Sequence, residues 1–273
     1  MTSKVSYSVQ NFNSDLEREI QRLYLQAQIM WKQESRNLFW FGLQDGMSVL
    51  ELGSGPGFIT EKLLSLLPKI SITAIDTDPF MIDYCQQRLR NYIGNRLNIS
   101  CCASIFNTGL PDNSFDFAIA RLVFQHIPNP VDAAKEIRRV LKPGGKLVIT
   151  DHDDEIFFIH EPPVPEYQIM SEKMRLAMAT RNGNRRIGRQ LWRILRDAGF
   201  QNQDLEIIVS HSDDQGLEIF TKVIDPELFK SVVKQGWATE QEMQNYLRAH
   251  DEFMSSPEPL MLLAWLMASG EKP

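Results

Sequence analysis

Apolar residues first recur at helical spacing: Ile20, Leu23, Tyr24, Ala27 and Trp31 form one stripe, which predicts a helix from about Ser14 to Trp40. Ser14 and Glu17 stand at capping-box spacing, where each side chain can satisfy a free amide of the first turn. Beyond Asp45-Gly46 the period changes. Short runs of strand-forming residues alternate with helical patterns: a strand over Ser48 to Leu52, a glycine loop, and a helix over about Ile59 to Leu67. Ser71 to Ile75 reads as a second strand ending at Asp76, and Leu97 to Cys101 and Phe115 to Ala120 as a third and fourth. Asp78-Pro79 is a strong helix start, because Asp caps and Pro loses nothing in the first turn. Asn129-Pro130 repeats that logic before Val131 to Leu141, where Val131, Ala134, Ile137 and Val140 share a face. Pro143-Gly144-Gly145 closes this helix, and Lys146 to Thr150 is a fifth strand.

Strands separated by helices imply a parallel sheet with right-handed crossovers. After Asp151 the alternation stops. Met170 to Ala179, Arg189 to Ala198 and about Pro226 to Phe253 read as helical, the last containing a capping box at Thr239 and Glu242. Leu205 to Val209 is a sixth strand, and the closing run from Leu260 fits a seventh, paired antiparallel to it. The expected fold is α/β: a doubly wound sheet of seven strands, the last antiparallel, with helical lid elements toward both termini. Residues 1–42 would form a helical cap on a main domain over 43–273, with helical substrate-side insertions about 155–198 and 225–254.

Composition narrows the function classes. The chain is 43% hydrophobic and 23% charged, ordinary for a globular core. Its longest apolar stretch, Leu260 to Ala268, is too short to span a bilayer, and the N-terminus turns polar where a signal peptide needs its apolar segment. A cytoplasmic location without membrane association follows as the expectation. The cysteines include no CxxC pair and the histidines no HExxH, so no metal site is expected. A net charge of −6 argues against nucleic acid as a partner.

The densest chemical signal is VLELGSGPGFIT, Val49 to Thr60, where a strand runs into Gly53, Ser54, Gly55 and Gly57 and a helix follows. Bare backbone can approach a ligand, and the helix N-terminus offers free amides. Asp76, at the end of the next strand, can accept both hydroxyls of a ribose. The dinucleotide fingerprint GxGxxG would need glycine at position 58, which is Phe. The pattern is instead GxGxG preceded by Glu51, which favours a ligand with no pyrophosphate.

At these residues the chain resembles the class I methyltransferases that use S-adenosylmethionine (SAM) on a Rossmann-like sheet. ELGSGPG is similar to the family's first motif, AIDTDP to its second, and PDNSFDFAIARLVFQHIPNP with EIRRVLKPGGKLVITD to its later core. The likeness is greatest to the group containing ubiquinone- and menaquinone-biosynthesis enzymes. It implies SAM as cofactor, with S-adenosylhomocysteine (SAH) as product. It also implies that Glu51, Gly53 and Gly55 line the methionine part, that Asp76 holds the ribose and that Thr77 lies beside the adenine. Ser104 stands where the family often has an Asp toward the adenine amino group, leaving Ile105 to contribute its backbone amide. Arg121 would border the methionine end and the acceptor.

The methyl of SAM is activated by its sulfonium, so the protein must chiefly align nucleophile, methyl and sulfur. Acceptor-side candidates follow the ends of strands four and five: Gln125, His126, His152 and Asp153. His126 is the candidate base, on the strength of imidazole's near-neutral pKa. Arg186 and Arg189, in a basic stretch of an acidic protein, could bind a carboxylate or phosphate. The reading is methyl transfer to an O, N or C nucleophile of a small-molecule acceptor, in a protein that could form a homodimer. The alternatives are an RNA or protein methyltransferase and a non-catalytic SAM-binding module.

Overall fold

A computed structural model describes residues 16–101 and 104–273. Its sheet has eight strands: β1 (Ser48–Leu52), β2 (Ser71–Asp76), β3 (Leu97–Cys101), β4 (Phe115–Arg121), β5 (Leu141–Asp151), β6 (Phe158–Glu161), β7 (Gln201–His211) and β8 (Leu260–Glu271). The order is β3-β2-β1-β4-β5-β8-β6, with β7 along the other side of β8. Strands β1 to β5 are parallel. Strand β8 runs antiparallel to β5, β6 and β7. The chain leaves β3 at one edge and returns beside β1 as β4. This reversal of order opens a crevice at the carboxyl ends of the strands, where such sheets bind ligands.

Strand periodicity supplies two cores. Val49, Ile72, Ala74, Phe117, Ile119 and Val148 point to one face. There they meet α1 (Leu16–Ile29), α2 (Trp31–Trp40), α3 (Phe58–Leu66) and α4 (Pro79–Leu89). Leu50, Leu52, Ala118, Ala120, Leu147 and Ile149 point to the other, under α5 (Pro130–Val140) and α7 (Leu191–Asp197). Both faces are therefore covered, as a parallel sheet requires. Between them in sequence lies α6 (Pro165–Ala179). With α8 (Ser212–Gln215), α9 (Leu217–Val223), α10 (Lys230–Lys234) and α11 (Glu240–Met254), it builds the material beyond the strand ends.

Several boundaries depart from the sequence reading. The N-terminal helix breaks at Met30: Ile29 and Met30 are both fully buried, and the turn lets α1 and α2 dock on different neighbours. Helix α2 reaches β7, where Gln33 donates to the Val209 carbonyl at 3.1 Å. Ser14 and its capping role lie outside the described residues. Asp78 caps α4 as expected, accepting from the Phe80 amide at 3.0 Å, but the Asn129 side chain makes no capping bond to α5. The expected helix over 226–253 is divided, because Gly236 takes a positive φ and the Thr239–Glu242 capping box starts α11 afresh. An eighth strand, the four-residue β6, pairs with the start of β8 and was too short to show alternation.

Candidate active site

A cavity of about 400 Å³ opens at the carboxyl ends of β1, β2, β4 and β5. One half is built by the loop from β1 to α3. Gly53 and Ser54 both donate to the Ile75 carbonyl, at 2.8 and 3.2 Å, holding the loop against β2. The Asp76 carboxylate is tied at both oxygens, to the Gly55 amide at 2.8 Å and the Asp78 amide at 2.9 Å. Asp76 also lines the cavity. Burial raises the Asp76 carboxyl above its ordinary value. Glu51 is buried and accepts from the Thr60 hydroxyl at 2.6 Å. Loss of solvent pushes it up to about 7, with Thr60 and Arg121 opposing the shift.

The glycines of this loop have different duties. A Cβ at Gly53 would strike Val123 Cγ2, and one at Gly57 would strike Cys85 Sγ, so these two are bare because protein packs on them. Only at Gly55 does the Cβ direction meet open space. Ser54 is buried, lines the cavity, and its hydroxyl has no hydrogen-bond partner. A buried hydroxyl left unpaired costs roughly 1–3 kcal/mol, which a bound polar ligand recovers. An open-faced glycine, an orphan hydroxyl and a twice-anchored carboxylate around one void fit an amino-acid-bearing nucleoside.

The other half is lined by Leu23, Gln26 and Ala27 of α1, by Phe157, by Tyr167, Met174 and Met178 of α6, and by Val223, Ile224, Leu228 and Phe229. Arg22, Arg185, Gln125, His126 and His152 also face it. The Asp151 carboxylate accepts from the amides of Gln125 and His152, both at 3.0 Å, and so fixes the turns that carry these residues. Arg121 lines the boundary between the halves. Its guanidinium donates to Glu34 at 2.9 Å and to the Gln26 carbonyl at 2.7 Å, and it stacks on Trp265 at 4.6 Å. It thereby pins α1 and α2 over the crevice.

Residues 50–149 match the family model described as a methyltransferase domain. That stretch is a methyltransferase domain, and it resembles the class I SAM-dependent enzymes. The chain is 30% identical over 155 residues to a malonyl-[acyl-carrier protein] O-methyltransferase of Paenibacillus sp., covering 56% of this chain and 54% of that one. It is 32% identical over 113 residues to a ubiquinone/menaquinone biosynthesis C-methyltransferase of Shewanella sediminis, covering 40% and 44%. The chain spans about half the length of the curated relatives it matches. Among solved structures, phosphoethanolamine N-methyltransferase 2 of Haemonchus contortus, in complex with SAM, superposes with a TM-score of 0.57 at 19% identity, over 89% of this chain and 53% of that one. The geranyl diphosphate C-methyltransferase of Streptomyces coelicolor gives 0.54 at 12% identity, over 89% and 79%. These two likenesses concern the fold.

The structure gathers Glu51, Gly53, Ser54, Gly55, Asp76, Thr77, Ser104, Ile105, Arg121, Gln125, His126 and His152 around one cavity. Three expectations need correction. Gly57 stands outside the lining, packed against Cys85. Arg186 and Arg189 also stand outside: Arg186 pairs with Glu155 at 2.9 Å, and Arg189 clamps Asp153 and Glu155. Burial of Gly188, against the His152 carbonyl, turns that side of the segment inward and leaves these two cations outside. Third, His126 lacks the near-neutral pKa that recommended it as a base. Burial, then the charges of His152, Arg185, Arg181 and Arg22, push it down to about 3. Sequence reasoning missed Arg22, Arg185 and Tyr167. Arg22 and Gln26 do sit four residues apart beside the apolar stripe of α1, a usable signal; Arg185 carried none.

Proposed function

We propose that this methyltransferase binds SAM in the Glu51–Asp76 half of the cavity and passes its methyl to a small-molecule acceptor in the other half. The carrying observation is the convergence of Asp76 and the orphan Ser54 hydroxyl on one void that continues into an apolar compartment. Asp76 would receive the ribose hydroxyls, and Thr77, Ser104 and Ile105 would border the adenine. Glu51, Ser54 and the backbone of Gly53 and Gly55 would hold the methionine end. The Ser104 hydroxyl already accepts from the Phe106 amide at 3.1 Å, which leaves its own proton free for the adenine edge. The cofactor supplies a methyl made electrophilic by its sulfonium. The residues of this chain bind, orient and exclude water; helices α1 and α2, pinned by Arg121, complete the roof. Among the described residues no cluster of metal-ligating side chains occurs, and no helix is long and apolar enough to cross a membrane.

Calorimetry with SAH tests the assignment. Wild-type protein should bind one equivalent, and Asp76→Ala should bind at least about tenfold more weakly, because hydrogen bonds to a charged acceptor disappear. Equal affinities would remove the ribose site from Asp76.

A further inference from the structure

Helical spacing makes the acceptor half of the cavity a long apolar compartment. Tyr167, Met174 and Met178 follow one another at seven and four residues along α6, which sets them on one face, and all three line the void. From the first to the last of them, the helix rises about 16 Å. Leu23 and Ala27, four residues apart on α1, add a second wall, and Leu228 and Phe229, beyond α9, a third. The rings of Phe229 and Tyr167 meet edge-on with centroids 5.9 Å apart, which joins the third wall to α6.

The charged residues around this compartment are matched pair by pair. Among the described residues three arginines line the cavity, and each holds a carboxylate. Arg22 donates to Glu19 at 2.7 and 2.8 Å, Arg121 to Glu34 at 2.9 and 3.0 Å, and Arg185 to Asp154 at 2.7 Å. The side chains of all three acids are nearly closed to solvent. The ring nitrogens of His152 stand 3.7 Å from the Asp151 carboxylate and 3.4 Å from that of Asp154. His126, pushed down to about 3, is uncharged at neutral pH, and burial raises the Tyr167 hydroxyl so that it keeps its proton. A carboxylate or ammonium group entering here would give up its hydration and meet only charges that already have partners, a cost that an uncharged molecule avoids.

Resting on the cofactor reading above, we propose that the methyl acceptor is an uncharged molecule with an extended apolar body, taken up between α1, α6 and residues 223–229, and that acids and amines of the same size are refused. Apolar contact supplies the affinity: each methylene moved from water into such walls tightens binding about fourfold. The thioethers of Met174 and Met178 let the α6 wall fit bodies of different outline. The paired charges supply the discrimination, because an acid could reach these arginines only by displacing the carboxylates they already hold, and an amine could reach those carboxylates only by displacing the arginines.

Calorimetry on SAH-loaded full-length protein tests this with octan-1-ol, octanoate and octylamine, three probes of one length and different charge, and with the shorter hexan-1-ol. Octan-1-ol should bind at least about tenfold more tightly than octanoate and octylamine, and about tenfold more tightly than hexan-1-ol. Met174→Glu and Leu228→Glu, each placing an unmatched charge in the compartment, should each weaken octan-1-ol at least about tenfold. Both residues are only half-buried, and SAH affinity within twofold of wild type reports that the variants are folded. The proposal is overturned if octanoate or octylamine binds as tightly as octan-1-ol, if neither alcohol binds, or if both variants keep wild-type affinity for octan-1-ol. Failure of wild-type protein to bind SAH would strike the cofactor reading instead, and the preference for the uncharged probe would still be scored on the free protein.

Discussion

Lowering the pH should loosen the cofactor site, and Glu51 sets the size of the effect. Burial pushes its carboxyl up to about 7, so the free protein holds a proton there over a range where an ordinary glutamate is ionised. A protonated carboxyl is the form that burial tolerates. This contribution to stability is therefore complete below about 4.5 and lost as the pH rises through about 7. A ligand that places a methionine ammonium beside Glu51 selects the ionised form. With a free-state value near 7, roughly one tenth of the protein is ionised at pH 6 and roughly nine tenths at pH 8. SAH should therefore bind about tenfold more tightly at pH 8 than at pH 6, and at pH 7 its binding should release about half a proton. Asp76, also raised by burial, works in the same direction. Calorimetry in buffers of different ionisation enthalpy measures both quantities. Glu51→Gln, which keeps a hydrogen-bond acceptor for Thr60, should flatten most of the dependence. Wild-type affinity that is level from pH 6 to 8, with no proton released, would refute the placement of Glu51 against the ligand's cation.

Three further outcomes follow from packing. Gly57→Ala forces a side chain onto Cys85 at a residue with φ of 76°, and should cost about 1–3 kcal/mol in urea unfolding; adding Cys85→Ala should recover part of the loss. Glu34→Gln leaves the Arg121 guanidinium without its buried partner, should destabilise the protein by about 3 kcal/mol, and should speed hydrogen exchange in residues 16–40. Thr239→Ala removes the hydroxyl that accepts from the Glu242 amide, leaves the backbone half of the α11 capping box, and should lower stability by about 1 kcal/mol, with SAH affinity unchanged.

How much of this was legible in the chain depends on the range over which each feature is decided. The five parallel strands, the glycine turn after Leu52 and the Asp78 cap are written in a few neighbouring residues. Each is enforced locally, by the period of side-chain direction or by a side chain reaching its own backbone. For the same reason Asp76 could be placed at a strand end beside the loop, and the last strand could be paired antiparallel with its predecessor. What lay beyond the sequence was decided by contacts between distant segments. Gly53 and Gly57 proved bare on account of Val123 and Cys85, and the N-terminal helix broke where Ile29 and Met30 both found burial. Of three arginines within five positions, Arg185 faces the cavity while Arg186 and Arg189 face acids outside it. Their charge and spacing are nearly alike, and only the seating of Gly188 on the His152 carbonyl tells them apart. The ionisation of His126 was likewise out of reach, because it reflects the solvent and the cations that folding brings around the ring.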